Sequence, residues 1–192
     1  MKLSSPQTYK IIRFALETPR FKQIEVHRAT NVAFSRVNAV VNWMVSRGFA
    51  AKGKGGYHVV APAALLASFA LFRQMKELQI RSFMVETDRK RVLSLFEENG
   101  AVLCLSSALS FYDDYFRDPS FHVYGSVGLC NELSTLPEGL TQVVVYRDDL
   151  ADSADIVSQK GVKYTGKIRT LVDLLCSERA YASEQLIKKT WA

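Results

Sequence analysis

Cysteine and histidine are scarce in this chain, with three of each among 192 residues, and neither type is clustered. Cys104, Cys130 and Cys176 are odd in number, lie far apart and form no CxxC. That spacing argues against a disulfide framework and a thiolate zinc site, and each cysteine is expected as a small buried hydrophobe. His27 and His58 have no Cys, Asp or second His at ligand spacing, so they read as packed or surface imidazoles. No apolar run reaches the roughly 18 residues that a membrane span needs. The opening MKLSSPQTYK lacks an apolar h-region, so a cytoplasmic location is expected. A Gly-rich phosphate loop, a paired-His motif and a nucleophile–base motif are also missing. Catalysis is therefore disfavoured, and no cofactor or metal is called for.

Acidic residues are missing too, but only from one end. Residues 1–60 hold ten Lys/Arg against Glu17 and Glu25, a net of +8. Residues 61–192 hold fifteen Lys/Arg against seventeen Asp/Glu, a net of −2. A positive head on a near-neutral body suits a binder of polyanions. Lysines that merely keep a protein soluble would give the same total, so the local pattern has to decide.

That pattern reads as three helices and a hairpin. Ser5 is placed to cap a first helix that opens on Pro6 and runs to Glu17, with Tyr9, Ile12, Ala15 and Leu16 on one face. A short second helix fits Lys22–Ala29, with Ile24, Val26 and His27 towards the core, and Thr30-Asn31 makes the turn. A third helix runs from Phe34 to Arg47 and stops at Gly48. At about 100° per residue, Phe34, Val37, Val41, Met44 and Val45 fall together, with Val40 on their flank. The opposite face carries Ser35, Arg36, Ala39, Asn42, Trp43, Ser46 and Arg47. Short polar side chains, an Arg that can fork onto guanine and an Asn that can pair with adenine are what a recognition helix needs. Trp43 is expected to be covered, either under the following hairpin or against the body.

Residues 49–60 then read as strand, glycine-rich turn, strand, with Lys52 and Lys54 at the tip. This order resembles the winged helix-turn-helix of many bacterial and archaeal regulators. The resemblance implies DNA contacts from Ser35, Arg36, Asn38, Ala39 and Asn42 on the third helix, Arg28 on the second, and Lys52 and Lys54 on the wing.

The expected fold is α+β, with a winged helix-turn-helix in residues 1–61 and a mixed α/β domain in residues 62–192. In the body, residues 63–75 suggest a helix that leaves the wing and packs into the second domain. Strands are expected at residues 78–85, 121–124, 142–146, 155–159 and 162–165, the last two joined by a Lys160-Gly161 turn. Helices are expected from Asp88 to Glu98, from Ser106 through Tyr112 and Phe116, over Lys167–Ser177 and over Ser183–Thr190. Asp113-Asp114 would lie on a solvated helix face, and Arg169 and Asp173, four apart, would pair.

Gly125-Ser126 followed by Asp148-Asp149 invites a rival reading as a nucleotidyltransferase or other nucleic-acid-processing enzyme that uses the head as a substrate clamp. Adjacent strand carboxylates point to opposite faces, which disfavours joint chelation of one metal. Two segments, LCLSSALSFYDDYFRDPSFHVYG and GVKYTGKIRTLVDLLCSERAYASEQLIKKTW, are similar to stretches of AbiEi-family antitoxins. Ser107-Ala108-Leu109 and Arg169-Thr170-Leu171-Val172-Asp173-Leu174-Leu175 carry the likeness, and residues 126–141 are an insert against it. The resemblance implies an autorepressing antitoxin that binds its own promoter and counteracts a nucleotidyltransferase-like toxin encoded alongside. The sequence leaves a homodimer open.

Overall fold

A computed structural model describes residues 5–191; the first four residues of the stretch weighed above as a secretory signal lie outside them. The protein is α+β and divides into two compact units. One ends at Arg73 and takes in Asp149–Asp152 and Trp191, and the other holds Gln74–Asp148 and Ser153–Thr190.

The first unit begins with α1 (Pro6–Glu17), where the Ser5 side chain accepts from the Thr8 N–H. Tyr9, Ile12, Ala15 and Leu16 are buried together, as their spacing predicts. In α2 (Gln23–Thr30) the Glu25 carboxylate accepts the Lys22 N–H at 2.8 Å, and Asn31 ends the helix with a left-handed φ of 53°. Next comes α3 (Phe34–Ser46), which closes through Gly48 at φ 73° and a Phe49 N–H to Met44 carbonyl bond of 2.9 Å. The buried faces are narrower than the apolar pattern suggests. Ile24, Phe34 and Val45 are 41%, 46% and 37% exposed, leaving Val26 from α2 and Val37, Val40, Val41 and Met44 from α3. Short helices packed as a trio cover only the middle of each apolar arc.

Strands β1 (Ala50–Gly53) and β2 (Gly56–Val59) form the expected hairpin. Near its turn the hairpin is tied to the segment before α2: Phe21 and Tyr57 exchange two backbone hydrogen bonds, at 2.9 and 2.8 Å, and their rings stack. This pairing requires a glycine at 56. Its φ is 142°, and an added Cβ would lie 2.4 Å from the Phe21 carbonyl oxygen.

The apolar stretch after the hairpin belongs to this unit, which corrects the expectation that it packs into the body. In α4 (Pro62–Ala67) and the 3₁₀ turn Ser68–Leu71, Leu65, Leu66 and Phe69 are fully buried. Phe69 sits edge-on to Tyr9, with ring centroids 6.1 Å apart. The division between units therefore falls after Arg73 rather than after Ala61. Hydrophobicity announces burial but not the partner.

In the second unit α5 (Met75–Leu78) leads into a six-stranded sheet. Its strands are β3 (Gln79–Val85), β4 (Val102–Leu103), β5 (Phe121–Tyr124), β6 (Thr141–Tyr146), β7 (Ile156–Gln159) and β8 (Val162–Thr165). Their order is β3-β6-β5-β4-β8-β7; β5 with β6 and β4 with β8 run parallel, and the other neighbours are antiparallel. The Lys160-Gly161 turn has both φ angles positive, as a two-residue hairpin of the primed type requires. Leu103, Phe121, Val123, Val143 and Val145 pack with α6 (Arg89–Glu98), whose N-cap is Asp88, and with α8 (Val127–Leu133).

Alternation turns His122, Tyr124 and Tyr146 to the other side of the sheet. There the Tyr124 hydroxyl donates to Asp173 at 2.7 Å, and Arg169, on α9 (Lys167–Leu175), lies 4.7 Å over the Tyr124 ring. Arg169 pairs with Asp173 at 3.0 Å, as the four-residue spacing predicts, and also with Asp148 at 2.9 Å. The chain ends on α10 (Glu184–Trp191).

Two expectations about the body fail. The helix through Tyr112 and Phe116 is only α7 (Leu105–Leu109), because the Asp113 carboxylate turns inward to accept the Tyr115 N–H and breaks the run. Asp113 is thus buried and not on a solvated face. Within residues 126–141, α8 makes the crossover between parallel β5 and β6.

Candidate nucleic-acid interface

The polar side of α3 is built by what its apolar side must do. With Val37, Val40, Val41 and Met44 held in the core, Ser35, Asn38, Ala39 and Asn42 are left exposed on the outward arc. These are short side chains, so the helix backbone can approach a ligand surface closely. Arg36 is half-buried and lies on the flank, in line with Trp43 and Arg47 seven and eleven residues on. Trp43 rests on Phe49 at the base of the hairpin, with ring centroids 5.4 Å apart, one of the two covers expected for it. Arg28 is exposed on α2, as are Lys52 in β1 and Lys54 in the two-residue loop that follows. His27 is the packed imidazole expected: its Nδ1–H donates to the Val32 carbonyl at 2.8 Å, and the ring meets Phe34 edge-on.

Charge in this unit is sorted. Arg13 pairs with Glu17 and Asp152, Lys10 with Asp152, and Arg73 with Asp149 through contacts of 2.9–3.1 Å. Among the described residues no carboxylate pairs with Arg20, Lys22, Arg28, Arg36, Arg47, Lys52 or Lys54. Glu17, Asp149 and Asp152 therefore neutralise cations of α1 and Arg73, and Glu25 caps α2, so the cations that border α2, α3 and the hairpin have no carboxylate of their own.

One residue that the sequence does not single out borders the exposed face. Gln23, at the start of α2, donates its side-chain amide to Asn38 Oδ1 at 3.2 Å and reaches the Tyr57 hydroxyl at 3.5 Å. Asn42 donates to the same Asn38 oxygen at 2.9 Å. A row of side chains thus runs from the wing across α2 to α3. No local signal marks Gln23, because its partners lie 15 and 34 positions away.

In the body, the residues that invite an enzymatic reading are otherwise engaged. A Cβ at Gly125 would lie 2.7 Å from Leu129 Cδ2, so the glycine serves the packing of α8. Ser126 caps that helix. Asp148 is bound to Arg169 and Asp149 to Arg73. Among the described residues no group of three or more His, Cys, Asp or Glu side chains is placed to hold a metal, and no helix is long and apolar enough to cross a membrane.

His122 is buried, with Nδ1 3.1 Å from the Tyr146 hydroxyl and Nε2 3.8 Å from Asp118. Burial above all, and the cation of Arg179, bring its pKa down to about 4, against the opposing pull of Asp118. Burial opposes ionisation of Asp118 as well, but the Ser106 hydroxyl, the Ser120 N–H, Arg179 and His122 outweigh it and hold the carboxyl below its usual range. Comparison with family models, curated proteins and solved structures found no match to this chain.

Proposed function

We propose that residues 5–60 act as a winged helix-turn-helix on duplex DNA, and that the chain is a sequence-specific transcriptional regulator. In this reading α3 enters the major groove and the β1–β2 hairpin lies on neighbouring phosphates. The observation that carries it is the sorting of charge. Seven cations bordering one set of elements lack carboxylate partners, while Glu17, Asp149 and Asp152 of the same unit pair with cations elsewhere and Glu25 alone lies among them. A surface built only for solubility gives no reason for that segregation.

Titration of the full chain against duplex DNA over a range of salt tests the reading. Each phosphate contact releases counterions, so affinity should fall steeply with salt, and Lys52→Ala with Lys54→Ala should flatten the log–log slope by up to about two units. Salt-independent binding, or none, would refute it. Mg²⁺-dependent turnover of a nucleic acid or nucleotide would favour the enzyme alternative instead.

The two body segments similar to AbiEi-family antitoxins support a narrower reading: a cytoplasmic autorepressor whose second unit counteracts a nucleotidyltransferase-like toxin. Co-expression with the product of the adjacent gene tests it, with relief of growth arrest as the readout. A neighbour of another class, or no relief, would remove the antitoxin role and leave the regulator.

A further inference from the structure

The exposed face of α3 carries an amide whose orientation is fixed from behind. Asn38 Oδ1 can only accept, and it accepts from both Gln23 Nε2 at 3.2 Å and Asn42 Nδ2 at 2.9 Å. In this arrangement Asn42 turns its NH₂ towards Asn38, and its carbonyl oxygen is directed away from that bond. Gln23 is held in turn by the Tyr57 hydroxyl at 3.5 Å. What remains on Asn42 is one N–H and one carbonyl oxygen, side by side in one amide plane. The residues three before it, four after it and seven before it are Ala39, Ser46 and Ser35, small enough to let that plane come close to a surface.

We propose that Asn42 is the residue through which this chain reads an adenine, and that Asn38 and Gln23 are positioning residues that set its amide. The inference rests on the DNA-binding reading above. Adenine offers an acceptor at N7 beside a donor at N6 in the major groove, the complement of the pair Asn42 has left. Guanine offers two acceptors there and would set its O6 against the Asn42 carbonyl oxygen. A freely turning amide could present either edge to solvent; the Asn38 bond favours one of them before DNA arrives, and so lowers the ordering cost on binding.

The test uses the full chain and a duplex obtained by selection from random sequence. Each adenine is replaced in turn by 7-deazaadenine, which keeps N6 and lacks the N7 acceptor. For the wild type, one position in each recognition site should weaken on replacement, and Asn42→Ala should no longer distinguish adenine from 7-deazaadenine there. Asn42→Ala should bind the unmodified site about 5- to 150-fold less tightly. Gln23→Ala and Asn38→Leu should shrink the wild-type discrimination by about 2- to 10-fold. Asn38→Asp keeps an accepting oxygen, so it should preserve the discrimination while weakening both duplexes through its charge. Thermal unfolding of each variant checks that the head is intact. Sequence-selective binding that ignores 7-deazaadenine, or discrimination retained by Asn42→Ala, would overturn the adenine contact and leave DNA binding standing. Equal loss in Asn38→Asp and Asn38→Leu would overturn the positioning role. If no duplex is selected at all, the DNA-binding reading itself fails and the inference goes with it.

Discussion

Phe69→Ala tests which unit the stretch after the hairpin belongs to. Phe69 is fully buried and meets the equally buried Tyr9 edge-on at 6.1 Å, beside the buried Leu65 and Leu66. Truncating a buried Phe costs about 3–5 kcal/mol, from lost transfer energy and the cavity left behind. Against a typical domain stability of about 5–15 kcal/mol, that is at least about a fifth of the total. The chain has two tryptophans, Trp43 and Trp191. In a Trp191→Phe background, fluorescence of Trp43 on α3 therefore follows the first unit alone, which matters because two units can unfold in separate transitions. With a urea m-value of about 2 kcal/mol/M, the midpoint should fall by about 1.5–2.5 M. Leu71→Ala, at a side chain 77% exposed two residues on, should change stability by less than about 0.5 kcal/mol. A loss under about 1 kcal/mol for Phe69→Ala would show that Phe69 does not support the head. For the same reason a fragment ending at Val60, which lacks Leu65, Leu66 and Phe69, should fail to fold by circular dichroism.

Arg36→Ala should weaken binding to the cognate site by about 5- to 150-fold and random DNA far less, if its guanidinium reaches guanine from the flank of α3; equal loss on both in a titration at one salt concentration would make it a phosphate contact. Gly56→Ala should break the Phe21–Tyr57 pairing, since the new Cβ would meet the Phe21 carbonyl; hydrogen exchange at the Tyr57 amide should quicken, and unchanged protection would refute the clash. His122 should make the body acid-sensitive. Its folded pKa is about 4 and its unfolded value 6.5, so the stabilisation is complete above pH 6.5 and is lost as pH falls towards 4. The loss is on the order of 3 kcal/mol over that span, and chemical denaturation at stepped pH should show it shrink in His122→Gln; an unaltered pH dependence would contradict the assignment.

Much of the local structure was legible in the sequence because short-range chemistry dictates it. Ser5-Pro6, Asp88 and Gly48 mark helix ends through groups at most a few residues away. Lys160-Gly161 specifies a tight hairpin, and a high content of β-branched and aromatic residues specifies β5, β6 and β8. Arg169 and Asp173 meet because four residues make roughly one helical turn. The charge asymmetry that points to a polyanion is likewise a property of the chain itself.

Tertiary structure decided what those elements are for. The apolar arcs of α2 and α3 foretold a core but not that Ile24, Phe34 and Val45 would stay outside it. The apolar run of residues 63–75 foretells burial, yet only the fold shows that Leu65, Leu66 and Phe69 take it, that Leu71 and Phe72 stay exposed, and that Tyr9 is what Phe69 packs against. A helix of seven residues with an internal glycine gives too weak a periodic signal to be seen, so α8 emerged only once β5 and β6 lay parallel and required a crossover. Asp149 and Asp152 stand 76 positions from Arg73 and 139 from Arg13, and the Gln23–Asn38–Asn42 row joins two helices to the wing. Such pairings follow from how the chain closes on itself, and no local rule of capping, periodicity or turn preference encodes them.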